Sequence, residues 1–269
     1  AALGGGEEEG GGGGAGCPSP DAHTFTLALA ACHRGGAHGE AVEAVLPVAL
    51  GTAERRAAAD ARLWDACVGA AGSAGEWARA AGLHEERRAM GHATTPREWD
   101  TLVGAMASSG RMGEALEAYG AMVGLGLAPT KYTFTSLLAC ASRAGEAWRC
   151  DDLWEERARH KVEPSAHLAC SYVVALGEAG EPRRAAEYAR RWPREEGRTE
   201  VHNGALRGLC AAGHVREALE LFDEMQEKGA LPDATTFRAL VPAAYDAGLP
   251  AEARRLEELA ASLQALGLV

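Results

Sequence analysis

Aromatic residues make up only 6% of this 269-residue chain, although 47% of it is hydrophobic. So few large rings argue against one thick core and for helix pairs closed by Ala and Leu. No stretch approaches the roughly 18 uninterrupted apolar residues that a bilayer span requires, so no membrane association is expected and the chain should be soluble. Nor does a signal-peptide hydrophobic segment open it, and the start at Ala1 without methionine suggests a processed product. Motifs of chemistry are equally scarce. The seven cysteines (Cys17, Cys32, Cys67, Cys140, Cys150, Cys170 and Cys210) form no CxxC and no closely spaced framework, which suits small buried hydrophobes in a reducing compartment. The nine histidines are scattered without ligand spacing, so no metal is expected. His38-Gly39-Glu40 imitates the HxE of a zinc deaminase, but no Pro-Cys-x-x-Cys follows it. There is no GxSxG, no Gly-rich phosphate loop between a strand and a helix, and no aspartate group suited to two metals. No enzyme activity, cofactor or small-molecule substrate is expected.

What the chain does have is a recurring glycine. Gly36, Gly75, Gly110, Gly145, Gly180, Gly213 and Gly248 follow one another at separations of 39, 35, 35, 35, 33 and 35. Five residues after each stands a small side chain: Ala41, Ala80, Ala115, Cys150, Ala185, Ala218 and Ala253. A period this long marks a stacked-repeat solenoid, in which each unit buries its apolar face on its neighbours. The expected units are 22–60, 61–95, 96–130, 131–165, 166–198, 199–233 and 234–268, with four residues inserted in the first and two missing from the fifth. Residues 1–21, where Glu7, Glu8 and Glu9 sit in a run of glycines, cannot bury enough apolar surface to offset the entropy of ordering and read as a flexible tail or linker.

The sixth unit shows the local logic. Leu206, Leu209 and Cys210 share one helical face, and Gly213 supplies a left-handed stop. Val215, Ala218, Leu219, Phe222 and Met225 then recur at spacings of three and four until Gly229 and Pro232 end the run. Each unit is thus a helical hairpin, kept narrow at its crossing by the small residue. Asp21, Asp60, Thr95, Thr130, Ser165 and Asp233 stand where an oxygen caps the next helix.

These landmarks resemble the pentatricopeptide repeat family, whose units are 35-residue helical hairpins. The sixth unit carries the pattern in Asn203, Gly208-Leu209-Cys210, Gly213, Glu217-Ala218-Leu219-Glu220-Leu221-Phe222, Glu224-Met225 and Pro232-Asp233; the third carries it in Trp99-Asp100-Thr101-Leu102-Val103, Gly110-Arg111-Met112-Gly113-Glu114-Ala115-Leu116 and Pro129. The resemblance covers about 22–268. It implies an all-α, right-handed α-solenoid that binds single-stranded RNA in its concave groove, one base per repeat, as an adaptor in a mitochondrion or chloroplast. The tetratricopeptide repeat, the nearest competitor, would show Trp and Tyr landmarks that the first helices lack.

The resemblance puts base reading at the fifth and last residue of each unit, the pairs Thr26/Asp60, Asp65/Thr95, Asp100/Thr130, Thr135/Ser165, Cys170/Arg198, Asn203/Asp233 and Arg238/Leu268. Asn203/Asp233 matches a uridine-preferring pair, Thr26/Asp60 a guanosine-reading one, and Thr135/Ser165 a loose purine reader; the others match no common pair. Backbone or stacking contacts fall to Arg34 and Arg143, two residues before the repeat glycine, and to Arg62, Arg97 and Tyr132, second in their units. A net charge of −11 looks hostile to a polyanion, yet the tail and the sixth unit each carry −4 and the middle units are near neutral. Arg183-Arg184, Arg190-Arg191, Arg194 and Arg198 form the densest basic cluster, readable either as RNA-facing or as a solvated face paired with Glu187, Glu195 and Glu196. Two readings therefore stand: an adaptor for single-stranded RNA, or a protein–protein scaffold such as a peripheral subunit of an organellar ribosome, touching ribosomal RNA through phosphates alone. Trp64, Trp77, Trp99, Trp148, Trp154 and Trp192 are expected to fill between helices, and any exposed one would be an interface anchor.

Overall fold

The computed structural model describes residues 20–92, 94–193 and 197–267; the expected tail, apart from its last two residues, lies outside them, as do Arg194, Glu195, Glu196 and Leu268. The described residues form helices joined by short loops, with no strand among them. Seven first helices run in order: α1 (Ala22–Gly35), α5 (Ala61–Ser73), α7 (Pro96–Ser108), α9 (Lys131–Arg143), α11 (Ala166–Glu178), α13 (Arg198–Ala211) and α15 (Ala234–Asp246). Their partners are α6 (Trp77–Ala89), α8 (Met112–Gly124), α10 (Ala147–Arg159), α12 (Pro182–Arg191), α14 (Val215–Glu227) and α16 (Pro250–Ala265). In the first unit the partner is composite: α2 (His38–Glu40), a π-helical turn over Ala41–Val45, and α3 (Leu46–Leu50). Pro47 cannot donate to the carbonyl four residues back, and the widened turn just before it accommodates that loss. The four inserted residues fold into an extra short helix, α4 (Ala53–Ala58), and leave Asp60 in its capping place.

The repeat glycine acts as expected. All seven adopt left-handed backbone with φ between 71° and 90°, a region open to glycine at no steric cost. The amide that follows each one reaches back to the first helix, from Ala37 N to the Cys32 carbonyl through to Leu249 N to the Ala244 carbonyl, at 2.9–3.0 Å. This is the Schellman arrangement, which satisfies the carbonyls that a helix end leaves open. The seven small residues that follow are 0–1% exposed, so the crossing of each hairpin is closed by Ala or Cys.

Each first helix packs on the next first helix, from α1 to α15, while the second helices touch the following first helix and scarcely touch one another. The more tightly stacked row takes the inside of the curve, so the first helices form the inner wall of an α-solenoid. Most of its core is one continuous cluster, with Trp64, Phe134, Leu168, Leu206 and Phe222 buried along its length, and Val215, Ala244 and Ala253 form a small second one at the last hairpin. Where α11 meets α13 the backbones nearly touch: a Cβ on Gly177 would lie 3.0 Å from the Gly208 Cα. Aromatic rings fill between the fourth and fifth units, with Trp154 stacked on Tyr172 at 4.4 Å and Tyr188 edge-on to both. Trp64, Trp99 and Trp192 are buried; Trp148 is the exposed exception, 58% open on the outer face.

Two local expectations need correction. Thr95 does not cap α7 with its side chain, because Glu98 stands three residues on and accepts the Thr95 hydroxyl at 2.9 Å. Among the described residues of the fifth unit's basic cluster, Arg183, Arg184 and Arg190 pair with carboxylates of adjacent units and not with Glu187. Arg183 reaches Glu217 and Arg184 reaches Asp151, both at 2.7 Å, and Arg190 reaches Glu224 at 2.9 Å. These ion pairs rivet neighbouring second helices on the outside of the coil. No described helix is long and apolar enough to cross a membrane.

Candidate nucleic-acid interface

The inner wall is set by helical spacing. On α5 the side chains Arg62, Asp65, Ala66, Gly69 and Ser73 lie on one stripe, and Thr26, Ala30 and His33 of α1 and Arg97 and Thr101 of α7 flank it. Because the floor is Ala and Gly, the wall is indented there. The result is a cavity of about 560 Å³ spanning the first three units, and it reaches His84 and Arg87 on the second helix α6.

Arg62 and Arg97 are exposed at the rim, and neither has an ion-pair or hydrogen-bond partner among the described residues. Tyr132, second in the fourth unit, is 60% exposed, with the Lys131 ammonium 5.3 Å from its ring centre. Arg34 is also exposed and unpaired among the described residues. Arg143 differs: its guanidinium donates to the Ala107 carbonyl of the preceding unit, which commits it to solenoid packing. Arg198, left at the start of α13 by the missing residues of the fifth unit, donates to the Lys228 carbonyl at 2.6 Å.

The candidate reading pairs fare unequally. In Asn203/Asp233 the Asn203 amide donates to Asp233 Oδ1 at 3.0 Å, and its oxygen accepts from the Thr236 hydroxyl at 2.7 Å. Asp233 Oδ1 also caps α15 through the amides of Thr235 and Thr236. Asn203 is 6% exposed. Its Watson–Crick-like groups are therefore largely spent inside the fold. The third and fourth units repeat this clasp: Asp100 accepts from the Thr130 hydroxyl at 2.7 Å and from the Thr133 hydroxyl. Thr26 and Thr135 donate their hydroxyls to carbonyls one turn back, Ala22 and Lys131, and keep an acceptor lone pair. Asp60 and Ser165 cap α5 and α11 through Leu63 N at 2.8 Å and Leu168 N at 3.3 Å.

The second unit departs from this scheme through residues that the sequence pattern did not single out. Glu98 occupies the place that Thr133 and Thr236 hold in later units, and it is 4% exposed. It draws the buried Arg87 of α6 into an ion pair, and Arg87 Nη1 also lies 3.3 Å from Asp65 Oδ1. His84 is 1% exposed, edge-on to Trp99 at 4.6 Å, and neither ring nitrogen has a hydrogen-bond partner among the described residues. Burial raises Asp65 above the usual carboxylate value against the pull of Arg87, and lowers His84. The sequence signal was Glu98 standing in a threonine place. Burial pushes Cys67 up to about 12, and Cys150, Cys170 and Cys210 up to about 11, so these thiols stay protonated. No cluster that could hold a metal ion occurs among the described residues.

Comparison with known proteins decides the lineage. A model described as a PPR repeat family matches residues 201–244, and one described as a PPR repeat matches residues 99–127. The chain contains pentatricopeptide repeats. Among curated proteins it is 30% identical over 97 residues to a putative pentatricopeptide repeat-containing protein of Arabidopsis thaliana, an alignment covering 36% of this chain and 16% of that one. Among solved structures it superposes on the pentatricopeptide repeat protein PPR10 from maize with a TM-score of 0.67 at 23% identity, covering 93% of this chain and 35% of PPR10. PPR10 in complex with an 18-nt psaJ RNA element gives 0.71 at 17% identity, covering 91% and 36%. At these identities the likeness is one of fold, and the repeat array spans about a third of PPR10.

Proposed function

We propose that this chain binds single-stranded RNA along its inner wall as a non-catalytic adaptor, in a mitochondrion or chloroplast. The observation that carries the reading is the contrast between arginines. Arg183, Arg184 and Arg190 on the outer face are paired to carboxylates of adjacent units, whereas Arg62 and Arg97 stand without an ion-pair partner among the described residues, at the rim of an inner-wall cavity. Unpaired guanidinium groups offer both phosphate neutralisation and a flat face for an unstacked base. Tyr132 extends that row into the fourth unit. The shared fold with PPR10, solved in complex with an RNA element, supports the same use of the groove.

A titration of the chain against random-sequence single-stranded RNA at several salt concentrations tests this. With about three phosphates contacted, log affinity should fall with log salt at a slope of about −2. Absent or salt-insensitive binding would transfer the weight to a protein scaffold, for which Trp148, exposed on α10 beneath the Arg149 guanidinium, is the natural anchor.

A further inference from the structure

We infer that the cavity shared by the first three units holds a phosphate monoester, whose terminal oxygens reach His84 at the inner end while Arg62 and Arg97 flank the mouth. This goes beyond strand binding along the groove, since the pocket takes a phosphate end whichever base adjoins it. The ligand is a small phosphorylated molecule or the terminal phosphate of an RNA, held with no bond made or broken.

His84 calls for such a ligand. Its ring is 1% exposed and lines the cavity, and neither nitrogen has a hydrogen-bond partner among the described residues. A neutral imidazole always carries one N–H, and a buried donor without an acceptor is costly. The indole N–H of Trp99, edge-on to that ring, is also buried without a partner among the described residues, and an indole can only donate. Two adjacent orphan donors require an acceptor-rich group.

The charges favour an anion. Arg62, Arg87 and Arg97 line the cavity together with Asp65 and Glu98. Glu98 is committed to Arg87 and to the Thr95 hydroxyl. Burial raises the Asp65 carboxyl, so an arriving anion meets a group inclined to take up a proton, and the acid form is itself a donor. The Arg62 and Arg97 guanidinium groups are left to balance the ligand. A phosphate monoester carries about −1.5 to −2 at neutral pH, with three acceptor oxygens on a single ester arm. An internal phosphodiester has one charge and two arms that lead back along the strand, so it stays at the mouth. A volume of about 560 Å³ accommodates the phosphate with the group that bears it.

Binding should also draw a proton onto His84. The ring shares the cavity with His33 of α1, Arg62 and Asp65 of α5, Arg87 of its own helix, and Arg97 and Glu98 of α7, while Glu85 and Arg88 flank it on α6. An anion against the imidazole outweighs the repulsion of Arg87 and Arg88.

Calorimetry of the full chain with inorganic phosphate, and with twelve-nucleotide oligouridylate bearing a 5′-phosphate, a 3′-phosphate or hydroxyls at both ends, tests the inference. Inorganic phosphate should bind saturably. A terminal phosphate should tighten the oligonucleotide at least about tenfold, the range of one charge-assisted hydrogen bond. That gain assigns the cavity to an RNA end; phosphate binding without it assigns the cavity to a free phosphorylated molecule. By nuclear magnetic resonance, the His84 imidazole should titrate at higher pH in saturating sulfate, which offers the same tetrahedral oxygens and does not itself titrate in this range; this needs no variant. His84→Phe, which keeps a ring against Trp99 and removes both nitrogens, should abolish phosphate binding and any gain, and leave the hydroxyl-ended strand unchanged. Neither phosphate binding nor a gain, a His84 titration indifferent to sulfate, or either effect retained in folded His84→Phe overturns this inference. Phosphate binding with no affinity for any oligonucleotide removes the RNA reading and leaves this one standing.

Discussion

The amide oxygen of Asn203 accepts a hydrogen bond from the hydroxyl of Thr236, at 2.7 Å, across the boundary between the sixth and seventh units. The residue that the family resemblance assigns to uridine therefore works as a clasp between repeats. With Asn203 at 6% exposure and Thr236 fully buried, cutting the clasp leaves the buried hydroxyl only the longer 3.2 Å contact to Asp233 and removes the amide donor to that capping carboxylate. Asn203→Ala should cost about 1–3 kcal/mol in urea unfolding. An unchanged unfolding midpoint, with affinity lost only for uridine-containing RNA, would show that the side chain is held in reserve for a base.

Arginines on the two faces should respond differently to neutralisation. Arg62→Gln with Arg97→Gln should weaken RNA binding about tenfold or more at low salt and shallow the salt slope by about 1 to 2. Arg183→Gln with Arg190→Gln, on the outer ladder, should leave affinity within about twofold, because those guanidinium groups face Glu217 and Glu224. Equal losses from both pairs would mean that the basic cluster of the fifth unit also meets nucleic acid.

The hairpin crossings give a packing prediction. Ala218 is completely buried between α13 and α14, where a longer side chain must push the helices apart. Ala218→Leu should destabilise by about 1–3 kcal/mol, read as a lower thermal midpoint. Leu219→Ala, one residue on and only partly buried, should cost less, and a larger loss at Leu219 would place the crossing elsewhere.

The features legible in the sequence are those that backbone sterics dictate. A glycine every 35 residues ends each first helix because the left-handed stop admits little else, and a small residue five places on marks each crossing. Side-chain partners across the boundary between units were not legible. Nothing in the spacing says that Asn203 is occupied by Thr236 or that Arg183 leans to Glu217, since both links join residues 33 or 34 apart and depend on how the hairpins stack. Thr95 looked like its capping counterparts, and only the identity of Glu98 three residues on diverts its hydroxyl. The reading pairs inherit that limit: residue type proposes a base, but the adjoining unit decides whether the polar atoms are free.

His84 should make the array acid-sensitive. The imidazole is lowered from its ordinary 6.5 chiefly by burial, with Arg88 and Arg87 adding repulsion and Glu85 opposing it. The unfolded chain thus takes a proton at a pH where the fold refuses it, so stability falls as pH drops through 6.5 toward the folded value. His202, lowered by burial despite its 2.8 Å contact with the Arg198 carbonyl, acts in the same sense. Asp65, raised by burial, works the other way. The thermal midpoint should therefore decline between about pH 7.5 and 5.5, and His84→Gln should reduce the decline. An unaltered pH profile in that variant would mean that His84 acquires its proton without leaving the fold, through the cavity that it borders.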